Sequence, residues 1–185
     1  MNLGRVMTPN RKIVLIGPMG AGKTSLGKRL ASKLRWRFVD TDHALCERTG
    51  VDIPTIFETE GEDGFRRREE GILAEVLSEP HDCIVACGGG IVLSALNRRL
   101  IAQQRYVVFL DVSVERQMQR IGSDKRRPLT QVPNVAERLQ QLRDERLGLY
   151  EGLADYRLDT DANFFSLSFK KLLTRVNEEL QREGL

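Results

Sequence analysis

Short apolar, β-branched runs alternate along this chain with segments whose apolar residues recur every three or four positions. The runs Lys12–Ile16, Arg37–Val39, Cys83–Ala86, Tyr106–Leu110 and Tyr156–Leu158 read as strands. Between them, Leu26, Leu30 and Leu34 stand four apart, on one face of a helix. Phe65, Ile72, Leu73 and Val76 mark a second helix. Val135, Leu139 and Leu142 mark a third, which opens with Asn134 and Glu137 at capping-box spacing. Phe165, Phe169, Leu172, Leu173, Val176 and Leu180 mark a fourth. Such alternation predicts βαβ units: an α/β fold with a five-stranded parallel sheet between two helical layers. Two stretches carry no period. One is Gly88–Gly90. The other is GSDKRRPLTQVP, residues 122–133, which is polar, basic and punctuated by proline. An irregular stretch of that length in a compact domain is usually functional or disordered.

Composition narrows the class. A chain of 185 residues makes one well-buried domain, here expected over residues 11–180, with residues 1–10 as a flexible tail. Its apolar runs are far too short to cross a membrane, and its N-terminus lacks the apolar stretch of a signal peptide. Cys46, Cys83 and Cys87 make no disulfide framework. Cys83 and Cys87 lie in an apolar run without His or Cys partners, so they read as buried thiols rather than metal ligands. A cytoplasmic location fits. The net charge of +3 argues against wholesale nucleic-acid binding, while leaving room for local phosphate or carboxylate sites.

The chemistry starts at GPMGAGKTS, residues 17–25. Gly17-x-x-x-x-Gly22-Lys23-Thr24 is the P-loop pattern without substitution. Its glycines let backbone N–H groups turn inward on phosphate oxygens, and a following helix adds its positive end. Gly20, Ala21, Gly22, Lys23, Thr24 and Ser25 are therefore candidate nucleotide contacts. Lys23 would reach the β- and γ-phosphates, and the Thr24 hydroxyl would hold Mg²⁺. The motif alone leaves kinase, GTPase and motor open.

A P-loop enzyme also needs a metal-supporting carboxylate at a strand end. FLD ends in Asp111, FVDTD carries Asp40 and Asp42, and CIVACGGG ends in glycines with no acid. Asp40 and Asp42 stand at the C-terminal edge of a strand, where ligands bind in parallel sheets. One carboxylate suits the metal and the other a substrate hydroxyl; an Asx turn is the plain alternative. Asp111, before Val112-Ser113, equally suits a turn or helix start.

The order GPMGAGKTS, FVDTD, IFETEGEDGFRRRE, CGGG, KRRPL and ERLGLY resembles the shikimate kinase family over about Lys12 to Thr160. The resemblance implies a nucleoside-monophosphate-kinase-like fold with a mobile lid at about 120–133. It implies transfer of the ATP γ-phosphate to the 3-hydroxyl of shikimate, in aromatic amino-acid synthesis. It makes Asp42 the candidate base and gives Asp40 a supporting role toward Mg²⁺ beside Thr24. Arg66 and Arg146 match the carboxylate-binding arginines, a task that suits a planar guanidinium. Gly88, Gly89 and Gly90 become the substrate loop, with Gly89 the backbone contact. Arg127 matches the lid arginine that stabilises the transferring phosphate, and Arg120 the residue stacked on adenine. Glu69, three residues after Arg66, is placed to orient it. Arg67, Arg68 and Arg143 read as solvated helix-face residues, and His43 and His81 as solvated too. Gly148 stands where relatives commonly have proline, and no adenine contact is assigned after Thr160.

Two other classes stay open. Another small-metabolite kinase, for gluconate or a nucleoside monophosphate, would keep the P-loop and lid but not Asp42 together with Arg66 and Arg146. A non-catalytic shikimate-sensing relative would have lost Lys23, Asp42 or the lid arginine. The reading adopted is an ATP:shikimate 3-phosphotransferase acting on a small molecule, as a monomer, with no nucleic-acid or membrane partner.

Overall fold

In the computed structural model, residues 10–121, 134–161 and 165–182 are described. The expected tail, the stretch at 122–133 with Arg127, and residues 162–164 thus lie outside the described residues, apart from Asn10. The strands are β1 (Lys12–Ile16), β2 (Arg37–Asp40), β3 (Cys83–Ala86), β4 (Tyr106–Asp111) and β5 (Tyr156–Asp159). The helices are α1 (Lys23–Leu34), α2 (Thr41–Thr49), α3 (Ile53–Ser78), α4 (Ala95–Ala102), α5 (Val114–Ile121), α6 (Val135–Leu153) and α7 (Phe165–Gln181). A 3₁₀ turn at Ile91–Leu93 precedes α4. The sheet runs β2-β3-β1-β4-β5, every pair parallel.

The apolar runs explain the layering. Successive strand side chains point to opposite faces, so a strand covered on both sides is apolar throughout. All five residues of β1 are buried. Val14 and Ile16 join Val85, Val107 and Phe109 in a core with α3, α4 and α6. Ile13 and Leu15 join Ile84, Val108 and Leu110 in the opposite core, packed on α1 and α7. Lys12 is buried at 1% exposure. Its ammonium donates to the carbonyls of Glu79 and His81, which satisfies a charge that would otherwise be very unfavourable there.

The register places the chemistry. Asp40 pairs with Ala86, and Leu15 pairs with Ala86 from the other side. The P-loop, the Asp40–Asp42 turn and Gly88–Gly90 therefore leave the sheet at one edge, the C-terminal edge that receives ligands in such folds.

Several details differ from expectation. Asn134 sits at the N-cap of α6 but makes no side-chain cap bond. Helix α3 is interrupted at Gly61, whose φ of +69° and ψ of −173° suit glycine. Arg68 is no idle surface residue: it spans that break with a two-pronged bond to Glu60, at 2.6 and 2.8 Å. Arg143 likewise departs from the bland role expected of it. It donates to Asp111 Oδ1 at 2.7 Å and to the Val112 carbonyl at 2.9 Å. Arg157 grips the other oxygen of Asp111. Asp111 therefore ties α6 and β5 to β4, with both carboxylate oxygens taken by arginines.

Burial alone would push the Asp111 carboxyl up, but hydrogen bonds from Arg143 and Arg157 outweigh it and hold the carboxyl below the usual range. Its contribution is then complete above the ordinary aspartate range and is lost as pH falls through the lowered value. Asp111→Asn should lower stability by about 2 kcal/mol. That is less than for a fully buried pair, because Arg157 is half exposed. Urea unfolding at pH 7 and pH 3 checks this: the gap between wild type and variant should shrink at the lower pH.

Candidate active site

The P-loop turns sharply after β1. Gly20 and Gly22 adopt φ of +79° and +93°, where a side chain is strained. Gly22 caps α1, so Lys23 opens the helix. Lys23 Nζ donates to the carbonyls of Gly17 and Pro18, at 2.7 and 2.8 Å. Thr24 and Ser25 are exposed, while Ala21 is buried and serves through its backbone. Helix α5 braces the loop from the side. Gln117 donates to the Met19 carbonyl at 2.7 Å, and Arg120 to the Gly20 carbonyl at 2.9 Å. Arg120 also reaches the Thr160 carbonyl at 2.6 Å, so it links the P-loop to the end of β5.

Asp40 does two things at once. Oδ1 accepts from the N–H groups of Asp42 and His43, which caps α2. Oδ2 accepts from the Thr24 hydroxyl at 2.7 Å. The Asx-type role and the Thr24 partnership thus fall on different oxygens. This pair fits Mg²⁺, a hard cation that takes oxygen ligands and retains waters. Thr24 gives its proton to Asp40 and keeps its lone pairs available for a metal.

Asp42 stands in the first turn of α2 and faces the triple glycine. A methyl group added at Gly88 would lie 2.5 Å from Asp42 Oδ1, and one at Gly90 would lie 2.7 Å from Arg66 Nη2. These glycines are small because two candidate side chains need the space. Arg66 donates to Glu69 at 2.7 Å and to Glu62 at 3.2 Å. Glu69 is buried at 2% exposure. Burial pushes its carboxyl above the ordinary range, Arg66 opposes this, and the charge of Asp42 adds to it. Arg146, on α6, comes within 3.9 Å of where a Gly89 side chain would start. Its Nε is buried and takes no acceptor among the described residues.

One cavity of about 800 Å³ joins these parts. Gly20, Gly22, Lys23, Thr24, Ser25, Asp40, Asp42, Gly88, Gly89, Gly90, Arg120 and Arg146 all line it. Arg66 does not, and meets the site against Gly90. Arg127 lies outside the described residues. Sequence reasoning missed Thr41, Gln117, Arg143 and Tyr150, all beside this cavity or its glycine loop. The repeated apolar spacing of α6, which carries Arg146 and Tyr150 four apart, was the available signal for Tyr150.

Comparison with known proteins agrees. The family model described as Shikimate kinase matches residues 19–177. A shikimate kinase of Vibrio parahaemolyticus is 47% identical over 155 residues, covering 84% of this chain and 90% of that one. One of Stenotrophomonas maltophilia is 46% identical over 179 residues, covering 97% and 99%. A solved shikimate kinase from Acinetobacter baumannii, in complex with shikimate, superposes with a TM-score of 0.85 at 40% identity, covering 96% of each chain. The Bacteroides thetaiotaomicron enzyme gives 0.83 at 30% identity, covering 92% and 98%. With the P-loop, the aspartate pair and the glycine loop gathered on one cavity, the chain belongs to the shikimate kinase family.

Proposed function

We propose that the chain carries out its family's reaction through the residues gathered here. It transfers the γ-phosphate of ATP to the 3-hydroxyl of shikimate, giving shikimate 3-phosphate and ADP. The observation that carries this reading is the cavity itself. It joins the P-loop lysine to a carboxylate, an arginine and a glycine loop suited to a small hydroxylated acid.

The roles follow from position. The P-loop N–H groups and Lys23 hold the phosphates, and Arg120 flanks the nucleotide near Thr160. Thr24 and Asp40 would hold Mg²⁺, which when bound offsets charge on the phosphate oxygens. Arg146 takes the substrate carboxylate, and Arg66 supports it from beside Gly90. Asp42 accepts a hydrogen bond from the 3-hydroxyl and then its proton. That oxygen bonds to the γ-phosphorus as the bond to the bridging β,γ-oxygen breaks. Arg127, from a lid at about 120–133, adds positive charge over the transferring group and helps exclude water. On this reading, residues 11–180 act as one domain. The chain works in the cytoplasm as a monomer on a small molecule, with neither nucleic acid nor membrane as partner.

Arg146→Lys should raise KM for shikimate about tenfold or more, because an ammonium replaces a two-pronged grip on a carboxylate. The KM for ATP should stay near wild type in the same steady-state assay. The function itself is tested by coupled ADP release with shikimate, gluconate and nucleoside monophosphates as acceptors. Shikimate should be preferred by orders of magnitude; equal turnover with gluconate or a nucleotide would overturn the assignment.

A further inference from the structure

The hydrogen bonds of the triple-glycine loop are nearly all accounted for. The Gly88 N–H donates to Thr41 Oγ1 at 3.0 Å. The Gly88 carbonyl accepts from Ile91 N at 3.1 Å, and the Gly90 carbonyl from Leu93 N at 3.0 Å. The Gly89 carbonyl accepts from the Tyr150 hydroxyl at 2.5 Å. Among the described residues, the N–H groups of Gly89 and Gly90 take no acceptor, and both glycines line the cavity. Two successive N–H donors of this kind suit an anionic or hydroxyl oxygen.

What aims them is the side-chain pair. In a trans peptide the carbonyl and the next N–H lie in one rigid plane and point in opposite directions. Drawing the Gly89 carbonyl toward Tyr150 therefore turns the Gly90 N–H the other way. Tyr150 is itself immobilised. It is 2% exposed, and its ring stacks on Phe109 with centroids 5.0 Å apart. Thr41, also 2% exposed, fixes the loop's other end from the start of α2. Glycine is the least constrained residue type, so three in a row without such tethers would sample many orientations.

We propose that Thr41 and Tyr150 are positioning residues that hold the Gly88–Gly90 loop with the Gly89 and Gly90 N–H groups aimed at oxygen atoms of the bound acid. The proposal rests on the assignment of this loop as the substrate loop. It adds Thr41 and Tyr150, acting through the loop, to the determinants of substrate affinity. It also explains why Arg146 and Tyr150 share one helix: the same turn of α6 supplies the cation and aims the donors.

The test uses Tyr150→Phe, Thr41→Val and Thr41→Ser in the full chain. Tyr150→Phe keeps the stacked ring, and Thr41→Val keeps the shape. Each should raise KM for shikimate about three- to tenfold, the range one net hydrogen bond supplies. The KM for ATP should stay within twofold. Thr41→Ser, which keeps the hydroxyl, should return KM for shikimate to within twofold of wild type. KM for shikimate unchanged in the folded valine and phenylalanine variants overturns the proposal. So does an equal rise in both KM values, which would mark a general packing defect. If one variant fails to fold by circular dichroism, the other decides by its KM for shikimate against its KM for ATP. Wild-type turnover of shikimate is measured alongside. Its absence would refute the assigned function, whereas normal wild-type turnover with unaffected variants refutes the positioning role alone.

Discussion

Asp42→Asn should leave the chain folded and lower kcat with shikimate by about 10²- to 10⁴-fold, the range a positioned general base contributes. The substitution keeps the shape of the side chain, so the contact with Gly88 persists. Helix α2 stays capped, because the cap is Asp40 and not Asp42. What is lost is the acceptor for the hydroxyl proton. A carboxamide still offers a carbonyl oxygen for a hydrogen bond, so KM for shikimate should move much less than kcat. Thermal unfolding and steady-state kinetics on the same preparation check this. A kcat within tenfold of wild type would remove Asp42 from the proton transfer.

Lys23→Ala should lower kcat by about 10²- to 10³-fold, the scale seen when one preorganised donor to developing charge is removed. The structural loss is local to the loop, so the chain should stay folded at the assay temperature. Lys23 donates to the carbonyls of Gly17 and Pro18 at the loop's own turn, and hydrogen bonds from a charged donor of this kind contribute about 1.5–3 kcal/mol each. The catalytic deficit at saturating ATP should therefore far exceed anything explained by unfolding. The KM for ATP should rise as well, since the ground-state phosphates also carry charge. Kinetics at saturating ATP, with a melting curve for the same variant, separates the two contributions. A variant with near-normal kcat would place the stabilising charge elsewhere.

The two residues differ in how visible they were beforehand. Lys23 belongs to a contiguous motif whose spacing states its geometry, so the P-loop could be read from nine letters. Asp42 needed more, since an i, i+2 aspartate pair is also a common turn. In the structure Asp40 caps the helix and pairs with Thr24, while Asp42 faces Gly88. The strands were legible because a strand buried on both faces must be apolar along its length. Their ends shifted by one residue where Asp40, Asp111 and Asp159 continue the ladder as polar residues. Helices α2, α4 and α5 were harder to see, being short and, in α2, mostly polar. Gly61 was hidden because the helical pattern resumes directly after it.

The misreadings share one physical cause. Arg143 looks like any arginine on a polar helix face, and its partner Asp111 lies 32 residues away. Tyr150 meets Gly89 across 61 residues, and Thr41 meets Gly88 across 47. Local periodicity reports burial and faces. It does not report which distant polar groups a folded sheet edge brings together, and this site is built from such pairs.

The most direct test is the identity of the product. Wild-type protein, ATP, Mg²⁺ and shikimate should give ADP and one new phosphate ester in equal amounts. Proton–phosphorus correlation NMR should then show the phosphorus coupled to the proton on carbon 3 of the ring. Phosphorus coupled to a different ring carbon, or ADP formed with inorganic phosphate and unchanged shikimate, would contradict the assignment of Asp42, Gly89 and Arg146 as the frame that presents the 3-hydroxyl.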